Sequence, residues 1–218
     1  MNRSRVIPRL LAACILAATT AALSVTTAAA EPLAVLPDDL PSLGQADAPI
    51  SVIAVRSFRC GHCHDFQSEA FPLMQEAYID TGRVHWRSLD ADDRNPRLTI
   101  FEVARAAHAA GVYWEINDFL FSYAARSPSA IFGAVEQGDL PGRGPMLAAL
   151  HDGSARRAAQ ADLKAARKLG ITALPTFLIR HTTADGTRQE VRLTDPRQLR
   201  PTLDRLLAAE SAAASPTH

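Results

Sequence analysis

The chain has 218 residues, 47% of them hydrophobic, and its formal net charge is zero because 23 Lys and Arg balance 23 Asp and Glu. That length allows one compact domain with room for an insertion. No excess of basic residues indicates nucleic-acid binding, and no acidic run indicates a solvated tail. We therefore expect a globular protein that does not bind nucleic acid.

The first thirty residues are typical of a secretory signal peptide. Three arginines precede an apolar, Ala-rich stretch over residues 10–30, and the small residues before Glu31 suit cleavage near Ala30. The stretch is rich in Ala and Thr, so we do not expect it to remain as a membrane anchor. Cys14 lies too early in it for lipoprotein processing, and we assign it to the removed peptide. We thus predict a periplasmic or otherwise exported protein in which Cys60 and Cys63 are the remaining cysteines.

The segment that follows begins an α/β pattern. Residues 31–48 are rich in Pro, Asp and Gly and predict an extended lead-in. Residues 49–94 predict a first structural half: a buried strand at 50–56, a helix at 64–78 and a second strand at 84–89. Pro72 should kink or split that helix.

From residue 95 to 168 the apolar residues recur at helical spacing. We predict an all-helical insertion, with helices around 98–108, 113–123, 146–151 and 155–168. Its aromatic residues form a stripe that could line a cofactor site, but such a stripe is more often the core of a helical bundle. We expect no cofactor there.

The chain then returns to strands. Residues 169–208 predict a second half, in which an apolar strand after Pro175 pairs with a strand at 190–193 across the Asp185-Gly186 turn. Pro175 is also a plausible site for a cis peptide bond. A final amphipathic helix begins at Pro196, and residues 209–218 are predicted to be a disordered tail.

The motif Cys60-Gly61-His62-Cys63 follows directly on the first predicted strand. If a helix begins there, its amide groups and positive dipole end stabilise the Cys60 thiolate. His62 adds a second positive charge when it is protonated. Two thiols at this spacing can close into a disulfide that is passed to another protein, which predicts redox chemistry.

Other functions also use this motif. A structural disulfide usually closes a longer loop, because a short spacer removes little entropy from the unfolded chain. Zinc needs further ligands, and there is no second C-x-x-C. With His64 the motif also reads C-x-x-C-H, the attachment signature of c-type haem. A module that binds haem or copper through Cys60, Cys63 and His64 therefore stays open at this point.

The order of elements resembles the DsbA-like branch of the thioredoxin fold. The resemblance rests on segments spread over nearly the whole chain after residue 43, namely 44–49, 58–66, 71–72, 78–84, 113–115 and 169–177. A protein with c-type haem would not need the Leu-Pro-Thr-Phe strand at 174–177, and it would need a further axial ligand. The resemblance implies an α/β, thioredoxin-like fold with an all-helical insertion.

The resemblance also implies roles for individual residues. Cys60 would be the exposed nucleophile and Cys63 the buried resolving thiol, with Gly61 and His62 tuning their redox potential. Pro175 would be a cis-proline opposite the disulfide, and the Leu174 backbone would pair with substrate. Many relatives carry a buried acid six residues before the first cysteine, where this chain has Ala54.

We therefore predict an exported, monomeric thiol–disulfide oxidoreductase without a metal or other cofactor. Its substrates would be folding exported proteins with free cysteines, and a membrane protein would reset its redox state. The pair Gly61-His62 resembles that of eukaryotic disulfide isomerases rather than the Pro-His of the best-known bacterial oxidant. The preferred direction is disulfide donation, with a reductase in cytochrome or copper-centre assembly as the alternative.

Overall fold

The computed structural model of the protein describes residues 36–92, 99–183 and 185–214. The predicted signal peptide at 1–30, including Cys14, lies outside these residues. So do positions 95–98, where the predicted insertion begins, and positions 215–218 at the end of the predicted tail.

One mixed sheet organises the described residues, and β2 is its central strand. The strand order is β1-β3-β2-β4-β5, with bounds Ser42–Leu43, Val84–Asp90, Ile50–Arg56, Thr176–Thr182 and Arg188–Leu193 in that order. β3 is parallel to β2 and β4 is antiparallel to it. The apolar residues of β2 suit a strand that is covered on both faces. Cys60 therefore emerges beyond the middle of the sheet.

Helices make up most of the rest of the described chain. Their bounds are Gly61–Asp65 (α1), Phe71–Met74 (α2), Thr99–Ala109 (α3), Asn117–Tyr123 (α4), Pro128–Gln137 (α5), Arg143–His151 (α6), Ser154–Lys168 (α7) and Leu199–Ala214 (α8). π-Helical turns occupy Phe66–Ala70 and Gln75–Ile79, and a 3₁₀ turn, Pro196–Gln198, leads into α8.

Pro72 does not split the first helical region. The backbone stays helical from Gly61 to Ile79, and α2 begins one residue before Pro72. Proline has no N–H group to donate to the carbonyl four residues before it, so a continuous helix needs another local geometry around position 72. The π-helical turns on both sides of α2 show how the chain keeps a helical course around this residue.

The structure differs from the predictions made from the sequence at three places. Helix α5 was not predicted, although Ser127 caps it by accepting a hydrogen bond from the Ala130 N–H at 3.2 Å. The predicted tail at 209–218 is also wrong for residues 209–214, which continue α8. These residues are mainly Ala, which has the highest helix propensity. The lead-in at 31–48 additionally contains the two-residue strand β1.

Three apolar clusters hold these layers together. On one sheet face an aromatic group packs against β2, with the ring centroids of Phe66 and Phe177 4.9 Å apart. On the other face α7 covers the sheet through Ala165 and Ala166. The third cluster joins the inserted helices to Cys60 and Cys63 themselves. Helix α1 thus lies between the sheet and the insertion.

Candidate active site

Cys60 lies at the start of the active-site helix. It is the N-cap residue of α1 with an extended backbone, and its carbonyl accepts hydrogen bonds from the N–H groups of Cys63 and His64, each at 3.0 Å. Its own N–H donates to the Ser57 carbonyl at 3.1 Å. The Cys60 side chain is therefore placed at the N-terminal end of α1.

The cis-proline loop faces Cys60 from the sheet. The Leu174–Pro175 peptide bond is cis, and the Cys60 thiol donates to the Leu174 carbonyl with an Sγ–O distance of 3.5 Å. The Thr176 hydroxyl donates to the Ala173 carbonyl at 2.6 Å and so fixes the turn just before β4. Residues 114 positions apart in the chain thus meet at one sulfur atom.

The two thiols differ in their surroundings. Both cysteines are free, and Cys63 is completely buried as expected. The expectation that Cys60 is exposed is wrong, because Cys60 is only 9% exposed and its thiol contacts the Leu174 carbonyl. Burial raises the pKa of the Cys63 thiol, and the neighbouring Cys60 raises it further. The Ser57 backbone and the positive charge of Arg56 act in the opposite direction. Cys63 therefore suits a thiol that reacts inside the protein rather than with solvent.

The two residues between the cysteines line the approach to Cys60. No atom lies within 4 Å of the position that a Cβ on Gly61 would occupy. His62 is exposed and lines a groove of about 600 Å³ together with Leu174 and Pro175. His64, whose side chain is 58% exposed, meets the ring of Phe121 edge-on at 6.0 Å, and with Cys60 and Gly61 it lines a second pocket of about 380 Å³. The residues predicted from the sequence are thus brought together around Cys60.

Arg56 lies next to this site, and this placement was not predicted from the sequence. Arg56 is completely buried at the end of β2, and its Nε donates to Asp90 Oδ1 at 3.0 Å. Its terminal nitrogens donate to Gln67 at 2.6 Å, Tyr113 at 2.5 Å and Asn117 at 3.1 Å. The sequence feature that could have indicated this role is a charged residue at the end of a mainly apolar strand. Buried charges are rare unless they are paired.

Within residues 36–92, 99–183 and 185–214, no group of three or more His, Cys, Asp and Glu side chains could hold a metal ion. His64 Nδ1 lies 3.8 Å from Oδ1 of the neighbouring Asp65, and both side chains are largely exposed.

Comparison with known proteins identifies the class. Residues 38–195 match the sequence model of a family described as thioredoxin. Because the match spans more than half of the chain, the protein belongs to this family. The predicted fold is confirmed as thioredoxin-like with a helical insertion.

Solved structures define the branch within that fold. The structure is similar to the T172V variant of α-DsbA1 from Wolbachia pipientis, with a TM-score of 0.66 and 21% identity over 84% of this chain and 98% of that one. It is also similar to oxidised BdbD from Bacillus subtilis, with a TM-score of 0.57 and 18% identity over 78% and 94% of the two chains. The fold is therefore DsbA-like.

Curated relatives match shorter stretches. The Na⁺/H⁺ antiporter NhaA 1 of Salinispora arenicola is 30% identical over 44% of this chain, which spans 15% of that protein. Disulfide bond formation protein D of Bacillus subtilis is 41% identical over 20% of each chain. The chain thus spans a fifth or less of the length of these relatives. In the part of this chain that the structure describes, no helix has the length and apolar character needed to span a bilayer.

Proposed function

We propose that the protein is a thiol–disulfide oxidoreductase that exchanges a Cys60–Cys63 disulfide with cysteines of other proteins. The contact between Cys60 Sγ and the Leu174 carbonyl, with Cys63 buried behind it, carries this proposal. Cys60 lies at a helix start and lines a pocket of about 380 Å³ with Gly61 and His64, whereas Cys63 is completely buried. Membership of the thioredoxin family supports the same chemistry.

In the donor direction, a substrate thiolate attacks Cys60 Sγ of the oxidised protein. A bond forms between the substrate sulfur and Cys60, the Cys60–Cys63 bond breaks, and Cys63 leaves as a thiolate. A second substrate thiolate then attacks the substrate sulfur of this mixed disulfide and releases the Cys60 thiolate. The substrate has lost two electrons, and the protein holds them as two thiols after proton uptake from water.

We further propose that the direction in the cell is disulfide donation to exported proteins that are folding. The DsbA-like fold and the partial match to a disulfide bond formation protein support this direction. The groove beside Cys60, lined by His62, Leu174 and Pro175, would receive the substrate segment that carries the attacking cysteine. The signal peptide predicted at 1–30 would deliver the protein to the periplasm, where a membrane redox partner reoxidises it.

Exchange is tested by trapping its intermediate. Cys63→Ser removes the resolving thiol, so Cys60 should form a stable mixed disulfide with a peptide that carries a single disulfide. Mass spectrometry of the adduct should assign the bond to Cys60, and Cys60→Ser should give no adduct at this site. Absence of the Cys60 adduct in folded Cys63→Ser would refute the exchange chemistry.

The direction is tested by titrating the Cys60–Cys63 pair in glutathione buffers with alkylation of the remaining thiols. A reversible two-electron transition at about −180 mV or higher supports a disulfide donor. A value near about −270 mV would make the protein a reductase. Stoichiometric copper or haem binding that blocks alkylation of both thiols would instead support the metal-binding alternative.

The same titration tests the tuning role of His62. Protonated His62 favours the Cys60 thiolate and so the reduced protein, which raises the potential. His62→Ala should therefore make the potential more negative, by about 30 mV if the equilibrium constant changes tenfold. His151→Ala is the matched control because His151 is also exposed but lies at the end of α6, in the insertion. Equal shifts in both variants would contradict a specific role for His62.

A further inference from the structure

Arg56 brings a buried positive charge to the active-site helix. Its Nη1 donates to Gln67 at 2.6 Å, and Gln67 lies four residues after Cys63. Gln67 belongs to the π-helical turn that follows α1, and Arg56 is near enough to Cys63 for the two groups to interact electrostatically. The rings of Phe58 and Phe121, 5.8 and 5.3 Å from the guanidinium carbon, close the space around it and belong to the cluster that contains both cysteines.

The position of Arg56 on β2 relates it to the missing acid. Side chains two apart on a strand point to the same face, so Ala54 and Arg56 share one face of β2. Ala54 packs with apolar residues of that face, including Phe66. The charge on this face of β2 therefore comes from position 56, nearer to the thiols, and it is positive.

Asp90 shares its carboxylate between Arg56 and Tyr113. One carboxylate oxygen accepts from Arg56 Nε and the other from the Tyr113 hydroxyl. Burial opposes the charged form of Arg56, but Asp90, Tyr113 and Cys63 favour it, and the net pKa of Arg56 is raised. Arg56 thus stays charged beside a thiol that burial alone would hold protonated.

We propose that Arg56 is a positioning residue that stabilises the Cys63 thiolate electrostatically, in place of an acid at position 54 that would relay its proton. This role rests on the proposed exchange function, and it explains how the buried Cys63 thiol can react. When Cys63 leaves as a thiolate in disulfide donation, the guanidinium offsets its charge. When Cys63 attacks the mixed disulfide, the same charge raises the fraction of thiolate.

Several groups act on Cys63 and must be separated in the test. They are Cys60 at the helix start, the Ser57 backbone before it, Arg56 on β2, and Asp90 and Tyr113, which act through Arg56. Asp162 on α7 adds a further charge that interacts with Asp90. The useful variants therefore change the sign of the local charge while leaving both cysteines in place.

The reaction to follow is oxidation of the reduced protein by oxidised glutathione. The Cys60 thiolate attacks the glutathione disulfide, forms a mixed disulfide and releases one glutathione thiolate. The Cys63 thiolate then attacks Cys60 Sγ, which forms the Cys60–Cys63 bond and releases the second glutathione thiolate with the electron pair. Acid quench and mass spectrometry of the mixed disulfide give the rate of this second step, which depends on the Cys63 thiolate.

Arg56→Met combined with Asp90→Asn removes both charges, so no buried charge is left unpaired and the fold should be retained. At pH 7 we expect the second step to slow at least tenfold, about the effect of one pKa unit on the thiolate fraction. Asp90→Asn alone leaves the positive charge uncompensated and should speed the step or move its pH profile to lower pH. Arg56→Lys, which keeps the charge, should lie closer to the unmodified protein than the double variant.

Opposite effects of the double variant and Asp90→Asn could not arise from loosened packing alone. The inference is overturned if the folded double variant resolves its mixed disulfide at the unmodified rate with the same pH profile. Slower resolution in Asp90→Asn would overturn it as well. If the unmodified protein forms no mixed disulfide or does not resolve it, the proposed exchange function fails instead.

Discussion

Asp162 offers a prediction about stability that is independent of the redox chemistry. It is 1% exposed on α7, and its Oδ2 lies 3.4 Å from Arg105 Nε. Its other carboxylate oxygen, Oδ1, is buried without a hydrogen-bond partner. Burial raises the pKa of Asp162 from its usual 3.8 to about 7, although the Arg105 charge acts in the opposite direction.

The sign of the effect follows from the raised pKa. The folded protein holds this proton more tightly than the unfolded chain, so the stabilisation is complete below about pH 4 and is lost as the pH rises towards 7. A pKa moved from 3.8 to about 7 corresponds to about 4 kcal/mol, at 1.36 kcal/mol per pKa unit. Asp162→Asn removes this titration while keeping the shape of the side chain.

Urea unfolding of the protein and of Asp162→Asn between pH 4 and pH 8 measures the effect. The variant should gain stability relative to the unmodified protein as the pH rises, by about 2–4 kcal/mol over this range. Any constant cost of weakening the pair with Arg105 cancels in this comparison. Asp139→Asn, an exposed position before α6, is the control and should track the unmodified protein. If the Asp162→Asn curve also stays parallel to it, the buried carboxylate does not titrate as argued.

Two further substitutions test the construction of the site and of the core. Gly61→Pro should leave the urea midpoint unchanged, because Gly61 is the first residue of α1, nothing lies within 4 Å of its Cβ position and Cys60 before it is already extended. A clear loss of stability would mean that the helix does not begin there. Phe177→Ala should cost about 3–5 kcal/mol in urea unfolding, because the ring is completely buried against Phe66 and Trp86. A cost below 1 kcal/mol would contradict that packing.

Local patterns predicted the strand that precedes the cysteines. The strand at 50–56 has the predicted bounds, because the run between Pro49 and the following turn has the length and the β-branched content of a buried strand. Helix α7 was predicted at 155–168 and begins at Ser154. Helix α5 was missed because Gly133 and Gly138 weaken its helical pattern, so its start is marked only by the Ser127 cap and the proline after it.

The partners of Arg56 could not be predicted in the same way. Arg56 and Asp90 are register partners in the parallel pair of β2 and β3, separated by 34 positions in the chain. That register depends on how the helical region from Gly61 to Ile79 packs across the sheet, since parallel strands are joined by a crossover rather than a turn. Tyr113 reaches the same pair from a turn in the insertion, before α4. The spacing of Arg56, Asp90 and Tyr113 in the sequence does not indicate that they contact one another in the fold.

The register also explains why the charge lies at position 56 and not at position 54. Ala54 is paired with Phe177 on β4 and packs against the aromatic cluster of this face, where an ionised acid would be buried without a partner. Two residues further along, the strand leaves the aromatic cluster, and Asp90 stands opposite in register to pair with a cation. A buried charge survives only where a partner and hydrogen bonds are available. Position 56 therefore meets the conditions for a buried charge on this face of β2, and the charge of Arg56 there acts on Cys63.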